Sequence, residues 1–141
     1  MIFLPDSVAL ILSGAKTQTR RPTKEGDSIY RGRIGRGGRL LWEVGRTYAV
    51  CPGRGKRAVC RIRITEIRCR RVCDISDKDV PAEGLRWDFK RGRWVYGKTV
   101  LENRAWYPNQ NIAAYLWLWR SMYPKSDCEE LCWALTFELV K

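Results

Sequence analysis

The apolar residues of this chain follow two rhythms, one helical and one alternating, and the switches between them mark the elements. Val8, Leu10, Ile11 and Leu12 follow Asp6, which can cap a helix, and precede Gly14, which can stop it; a short helix is predicted. Lys16-Thr17-Gln18-Thr19-Arg20-Arg21, closed by Pro22, reads as a strand because its threonines favour extended backbone and Pro22 disfavours helix. Residues 42–50 read as a turn feeding a strand, and residues 51–57 as a glycine-containing basic turn. From Ala58 to Ile67 the chain alternates, with Cys60, Ile62 and Ile64 on one face and Arg61, Arg63 and Thr65 on the other. That is a half-buried strand whose exposed face is positive.

Beyond it, Asp74 or Ser76 can cap a helix carrying Val80, Ala82 and Leu85, kept short by Pro81. Residues 86–99 are aromatic and basic with two glycines and read as hairpin or loop. Asn111 to Tyr123 spaces Ile112, Tyr115, Leu116, Trp119 and Met122 three and four apart, an amphipathic helix ended by Pro124. Trp133, Leu135, Phe137 and Leu139 alternate in a closing strand. This order predicts an α+β domain with a small curved sheet or barrel. At 141 residues one core suffices, so a single domain spanning 1–141 is expected. Residues 24–39 interrupt the pattern with five glycines among Arg31, Arg33, Arg36 and Arg39, and are expected to form a mobile basic loop.

Charge changes the picture more than composition does. The net charge is +12, and residues 16–73 carry all of the excess, with 17 bases against four acids. A basic half beside a neutral one favours a polyanion, with RNA or single-stranded nucleic acid ahead of an acidic protein partner. The candidate contacts are Arg20, Arg21, Arg31, Arg33, Arg36, Arg54, Lys56, Arg57, Arg61 and Arg63. Of the seven tryptophans, Trp119 and Trp133 fall on inward faces. Trp87 and Trp94 lie among arginines and suit either a base-stacking platform or a lid over the sheet, and Trp42, Trp106 and Trp117 complete the set.

Histidine is absent, which excludes Ser-His-Asp and Cys-His nucleophile systems and His-ligated zinc. The six cysteines include two C-x3-C pairs, Cys69/Cys73 and Cys128/Cys132, rather than C-x2-C knuckles. They are read as buried free thiols, and no metal or other cofactor is expected. No apolar run reaches the roughly 18 residues of a membrane span. Met1-Ile2-Phe3-Leu4-Pro5-Asp6 lacks the basic start of a secretory signal, so a cytoplasmic monomer is expected.

Gly14-x-Lys16-x-x-Thr19-x-Arg21 resembles the G-x-K-x-x-[E/T]-x-R signature of ASCH domains, a branch of the PUA-like superfamily. Val44-Gly45-Arg46-Thr47-Tyr48-Ala49-Val50, Cys60-Arg61-Ile62-Arg63-Ile64, Asp74-Ile75-Ser76, Ala82-Glu83-Gly84 and the closing Trp133–Leu139 segment follow in the family's order. The resemblance implies a compact β-barrel flanked by helices, with a cleft facing the signature and a role with RNA or modified nucleosides. Some members are amidohydrolases that deacylate N4-acetylcytidine, and their lysine, threonine and glutamate match Lys16, Thr19 and Glu83. On that reading Lys16 is the base, Thr19 the nucleophile and Glu83 a proton donor or orienting group, with Arg21 stabilising an oxyanion. A metal-independent ribonuclease is the less favoured enzyme. A straight strand from Lys16 would point Lys16 and Thr19 to opposite faces, so convergence requires the chain to bend after Gly14.

Overall fold

The computed structural model describes residues 1–101 and 111–141; Trp106 lies outside them. Helix α1 (Pro5–Ser13) leads into β1 (Gln18–Pro22), followed by β2 (Asp27–Tyr30), β3 (Arg33–Arg36), β4 (Arg39–Glu43), β5 (Thr47–Val50) and β6 (Cys60–Arg71). A single 3-10 turn (Val72–Asp74) and the one-turn α2 (Asp79–Ala82) precede β7 (Leu85–Asp88), β8 (Arg93–Tyr96) and β9 (Thr99–Val100). Helix α3 (Asn111–Met122) and the long β10 (Leu131–Val140) close the chain. Asp6 lies in the first turn of α1 rather than capping it, since Pro5 starts the helix, and Gly14 ends it in the left-handed conformation at φ 82°. The predicted second helix stops at Ala82, and Leu85 opens a strand instead.

The strands form three antiparallel sheets: β1-β10-β6-β5, β2-β3-β4 and β7-β8-β9. The expected closed barrel is therefore corrected to an open four-stranded sheet within an α+β fold. β1 and β5 are its two edges and do not pair with one another. The amino-terminal residues lie along β5 instead. Ile2 bridges Cys51 in parallel, Phe3 N–H donates to the Cys51 carbonyl at 2.9 Å, and Cys51 N–H donates to the Met1 carbonyl at 2.9 Å.

Residues 24–39 also depart from expectation, because most of this segment pairs into the β2-β3-β4 meander instead of forming a loop. Ile34 supplies what the glycine content concealed: one fully buried side chain, packed with Ile64, Trp133 and Leu135. Arg31 and Gly32 turn the first hairpin with φ of 48° and 74°, the twist that two-residue hairpins require.

Ladder β10–β6 is the spine of the sheet, pairing Leu131 with Arg71 at one end and Val140 with Arg61 at the other. A bulge interrupts it, with Thr136 opposite Glu66 but Phe137 opposite Ile64, so Thr65 is the extra residue. The bulge resets the alternation of β6. Ile62 and Ile64 point inward before it, and Ile67 and Cys69 pack on the same side after it. On β10, residues 132–135 are buried on both faces, Cys132 against the helical layer and Trp133 and Leu135 against the meander. Trp94 is buried and Trp87 packs against the same cluster, their rings edge-to-face at 5.7 Å, so they belong to the core rather than to an open stacking platform. Of the six cysteines only Cys132 is buried; the other five are half-buried, which corrects the expectation of buried thiols.

Asp27 fastens the meander to the spine. Its carboxylate accepts from both Arg36 Nε and Arg36 Nη2, from Trp133 Nε1 at 2.9 Å and from the Lys24 backbone N–H at 2.9 Å. The Arg36 hydrogen bond, helped by Trp133 and Lys24 and opposed by burial, holds this carboxyl well below the usual carboxylate range. A depressed folded-state value contributes stability that is complete above the unfolded value and fades as pH falls. Asp27→Asn should thus lower urea-melt stability at neutral pH, and its gap to the unmutated chain should shrink as pH drops below about 4.

Candidate functional site: a cavity over a buried ion cluster

Lys16 lies in the link between α1 and β1, where its backbone N–H donates to the Leu10 carbonyl at 3.0 Å. Gly14 makes the turn, and strand alternation begins only at Gln18, so Lys16 escapes the period-two constraint. The bend that convergence requires is present, and Lys16 and Thr19 line one cavity of about 560 Å³. Glu83 follows α2 and lines the same cavity. Lys16 Nζ donates to Glu83 Oε2 and to the Glu83 carbonyl, both at 2.8 Å, and all three predicted catalytic residues are at most 6% exposed.

Gly84 permits this approach. Its φ is +106°, and an added Cβ would sit 2.9 Å from Leu10 Cδ1 and 3.2 Å from Tyr96 Cε2. Only glycine accommodates both the angle and the contact.

Beneath the cavity the polar face of β1 meets α2. Arg20 Nη2 pairs with Asp79 Oδ2 at 3.0 Å, and Arg20 Nε lies 3.7 Å from Glu83 Oε1. Gln18 Nε2 donates to Asp79 Oδ1 at 3.1 Å, and Arg68 Nη2 approaches both oxygens of Asp79 at 3.4 Å. Burial would raise Asp79, but hydrogen bonds from Gln18 and Ser76 and the charges of Arg68 and Arg20 more than offset it and lower the carboxyl. Arg20 is only 3% exposed. Its place on the same face as Gln18 turns it inward, where it lines the cavity as well as pairing with the acids beneath it.

The remaining walls come from three places. Helix α3 supplies Tyr115, Leu118 and Met122, the amino-terminal segment supplies Ile2, Phe3 and Leu4, and the turn after β5 supplies Pro52 and Gly53. Ser7 and Tyr96 share a hydrogen bond at the inner end. Burial, followed by the nearby Glu83 carboxylate, pushes the Tyr115 phenol well above its usual range, so it stays protonated at the site. Arg21 also lines the cavity; its Nη2 donates to the Ile2 carbonyl at 2.7 Å and its guanidinium lies 4.9 Å from the Phe3 ring centre. Arg21 Nε is buried without a hydrogen-bond partner among the described residues, as is Glu83 Oε1.

The other predicted contacts divide by location. Arg54, Lys56 and Arg57 are exposed and make no ion pair among the described residues, directly after the two cavity-lining residues of their turn. Arg61 and Arg63 stand exposed on β6, Arg63 within 3.3 Å of Glu138. Arg31 and Arg33 are exposed on the meander, Arg33 bonded to Glu43 at 2.7 Å, whereas Arg36 is half-buried on Asp27. Sequence reasoning did not find Asp79, Tyr96 or Tyr115. The first is one acid among many in a turn, Tyr96 falls in a stretch that reads as hairpin or loop, and Tyr115 reads as core at helical spacing.

Solved structures are similar to the whole arrangement. One is a protein from Enterococcus faecalis V583 assigned to the DUF984 family: TM-score 0.56, 16% identity, covering 99% of this chain and 78% of that one. Another is an ASCH domain from Lactobacillus crispatus JV V101: TM-score 0.54, 18% identity, covering 94% of this chain and 69% of that one. The chain has the ASCH-domain fold. No protein-family profile and no curated protein sequence matches it. Within this ASCH fold no helix among the described residues is long and apolar enough to cross a membrane.

Removing one member of a buried pair leaves its partner uncompensated, at a cost of about 3–5 kcal/mol, whereas an apolar replacement of both is far milder. Glu83→Ala should therefore lose about 3–5 kcal/mol in urea unfolding, and the Lys16→Met/Glu83→Leu double variant should recover much of that loss.

Proposed function

We propose that this chain binds RNA or single-stranded nucleic acid along its basic side and admits one base, modified at its exocyclic position, to the cavity. The observation that carries this reading is the turn after β5. Pro52 and Gly53 line the cavity, and Arg54, Lys56 and Arg57 follow them, exposed and without ion pairs among the described residues. Phosphates held at that rim would leave a nucleobase facing inward, and about 560 Å³ is ample for a nucleoside. Apolar walls of Phe3, Leu118 and Met122 suit the faces of a base, and Tyr115, Tyr96 and Ser7 suit its polar edge. ASCH-fold neighbours support a domain of this kind, and the +12 charge supports a polyanion.

A second reading is favoured by the Lys16–Glu83 contact beside Thr19: hydrolysis of an N4-acylcytosine. Lys16 meets the Glu83 carboxylate at 2.8 Å, so the two can exchange a proton directly. In this mechanism Lys16 passes a proton to Glu83 and accepts the hydroxyl proton of Thr19, whose Oγ1 attacks the acyl carbon. Arg21 stabilises the oxyanion, Glu83 protonates N4 as the C–N bond breaks, and cytosine leaves. Water then cleaves the Thr19 ester, releasing the carboxylic acid and restoring the hydroxyl.

Two measurements test these readings. A fluorescent single-stranded RNA should bind with an affinity that falls steeply with salt, and Arg54→Ala/Lys56→Ala/Arg57→Ala should weaken it and reduce the log–log salt slope by about 2 to 3. No binding at low salt would remove the polymer reading. Incubation with N4-acetylcytidine should release cytidine and acetate at a rate that Lys16→Ala or Thr19→Ala lowers by at least about 100-fold. Turnover that survives both changes would remove the mechanism.

A further inference from the structure

A second cluster of reactive side chains lies away from the cavity, where β6 ends and β10 begins. Cys73, in the 3-10 turn after β6, meets Cys128 and Glu129 from the segment that enters β10. One ligand atom from each, two sulfurs and a carboxylate oxygen, all lie within 4.8 Å of one another. We propose that Cys73, Cys128 and Glu129 bind a thiophilic divalent cation of the zinc type, with water completing a four-coordinate shell.

Backbone structure preorganises the three groups. Cys73 N–H donates to the Cys128 carbonyl at 2.9 Å and Val72 N–H to the Glu130 carbonyl at 2.9 Å, which fixes the two segments side by side. Adjacent side chains usually diverge, yet those of Cys128 and Glu129 converge. The local turn explains this, because Asp127 Oδ1 accepts the Glu129 N–H at 3.0 Å and the Asp127 carbonyl accepts the Glu130 N–H at 3.1 Å. Arg71 Nη1 holds Glu129 Oε2 at 3.0 Å, leaving Oε1 toward Cys73, whose Sγ lies 3.7 Å away. Such an orienting contact on a carboxylate ligand is the usual support of a metal site.

Local charge runs against the rest of the chain. Within three residues of Cys73 or Cys128 lie four acids, Asp74, Asp127, Glu129 and Glu130, against three bases, Arg70, Arg71 and Lys125, a slightly negative patch in a protein that is otherwise strongly basic. Two sulfurs and one oxygen select a borderline-soft ion over magnesium or calcium, which prefer all-oxygen shells. Binding displaces the two thiol protons to solvent and leaves two thiolates on the ion. Neither sulfur is oxidised. This site departs from the expectation of free thiols, since each C-x3-C pair contributes one ligand instead of acting as a unit.

The test is a zinc titration of the full reduced chain, freed of metal and competed against a chromogenic chelator. One tight equivalent is expected, and Cys73→Ser and Cys128→Ser should each weaken it by more than about 100-fold. Glu129→Gln should weaken it by at least about 10-fold, while cobalt(II) loaded into that variant keeps its thiolate charge-transfer absorption. Cys51→Ser and Cys60→Ser should leave affinity unchanged, and far-ultraviolet dichroism should confirm that each variant is folded. An unchanged affinity in folded Cys73→Ser and Cys128→Ser, a loss on Cys51→Ser or Cys60→Ser, or no tight equivalent would overturn the assignment. So would the finding that thiol titration of the air-equilibrated chain, before any reductant, gives a Cys73–Cys128 disulfide that ordinary cellular thiols do not reduce.

Discussion

Withdrawing a lysine and a glutamate from water costs several kcal/mol for each group unless they meet. Lys16 and Glu83 meet at 2.8 Å inside this protein, and much of the architecture serves that contact. The αL turn at Gly14 frees Lys16 from the strand, Gly84 lets the Glu83 segment approach it, and Arg20 and Asp79 extend the pairing beneath. α2 is a single turn with no side-chain cap, yet it carries or adjoins both acids of the cluster. Its position is therefore fixed less by helical propensity, which Pro81 limits, than by the cations it covers, Arg20 of β1, Lys16 of the link before that strand and Arg68 of β6.

The same strand separates two kinds of arginine. Alternation along β1 sends Arg20 under the helices and Arg21 toward the amino-terminal segment. On β6 it sends Arg61 and Arg63 to solvent. The net charge of the molecule is thus not one field acting on one ligand. Part of it is consumed internally as counter-charge, and the part that reaches solvent next to the cavity is the turn after β5.

Much of this was legible in the chain. Periodicity located α1, α3, β6 and β10, because each repeats apolar residues at its own helical or strand spacing, even though β10 is buried on both faces over residues 132–135. Lys16, Thr19 and Glu83 came from family order, and the structure gathers them at one cavity. What stayed hidden depended on long-range partners. The meander could not be read from Gly-Arg alternation, since its single buried anchor, Ile34, acquires meaning only against Trp133 and Leu135. Sheet closure was equally invisible. It turns on whether β1 reaches β5, and the amino-terminal residues settle the matter by occupying the edge of β5. The bulge at Thr65 changes the inward parity of β6 in mid-strand, which no pattern in that strand alone reveals.

The amino-terminal strap has a consequence for how the molecule behaves in a crowd. An unpaired strand edge is a template on which another chain can add, and proteins that leave one flat and open are prone to aggregate. Met1 and Phe3 engage Cys51 along β5, and the Met1 ammonium bonds the Ala49 carbonyl. At the other edge Pro22 offers no N–H, and the Thr17 N–H is already given to the Ala82 carbonyl at 2.8 Å. The segment that walls the cavity is thereby also a guard on the sheet, and loosening it would expose the chain to strand exchange with its own copies.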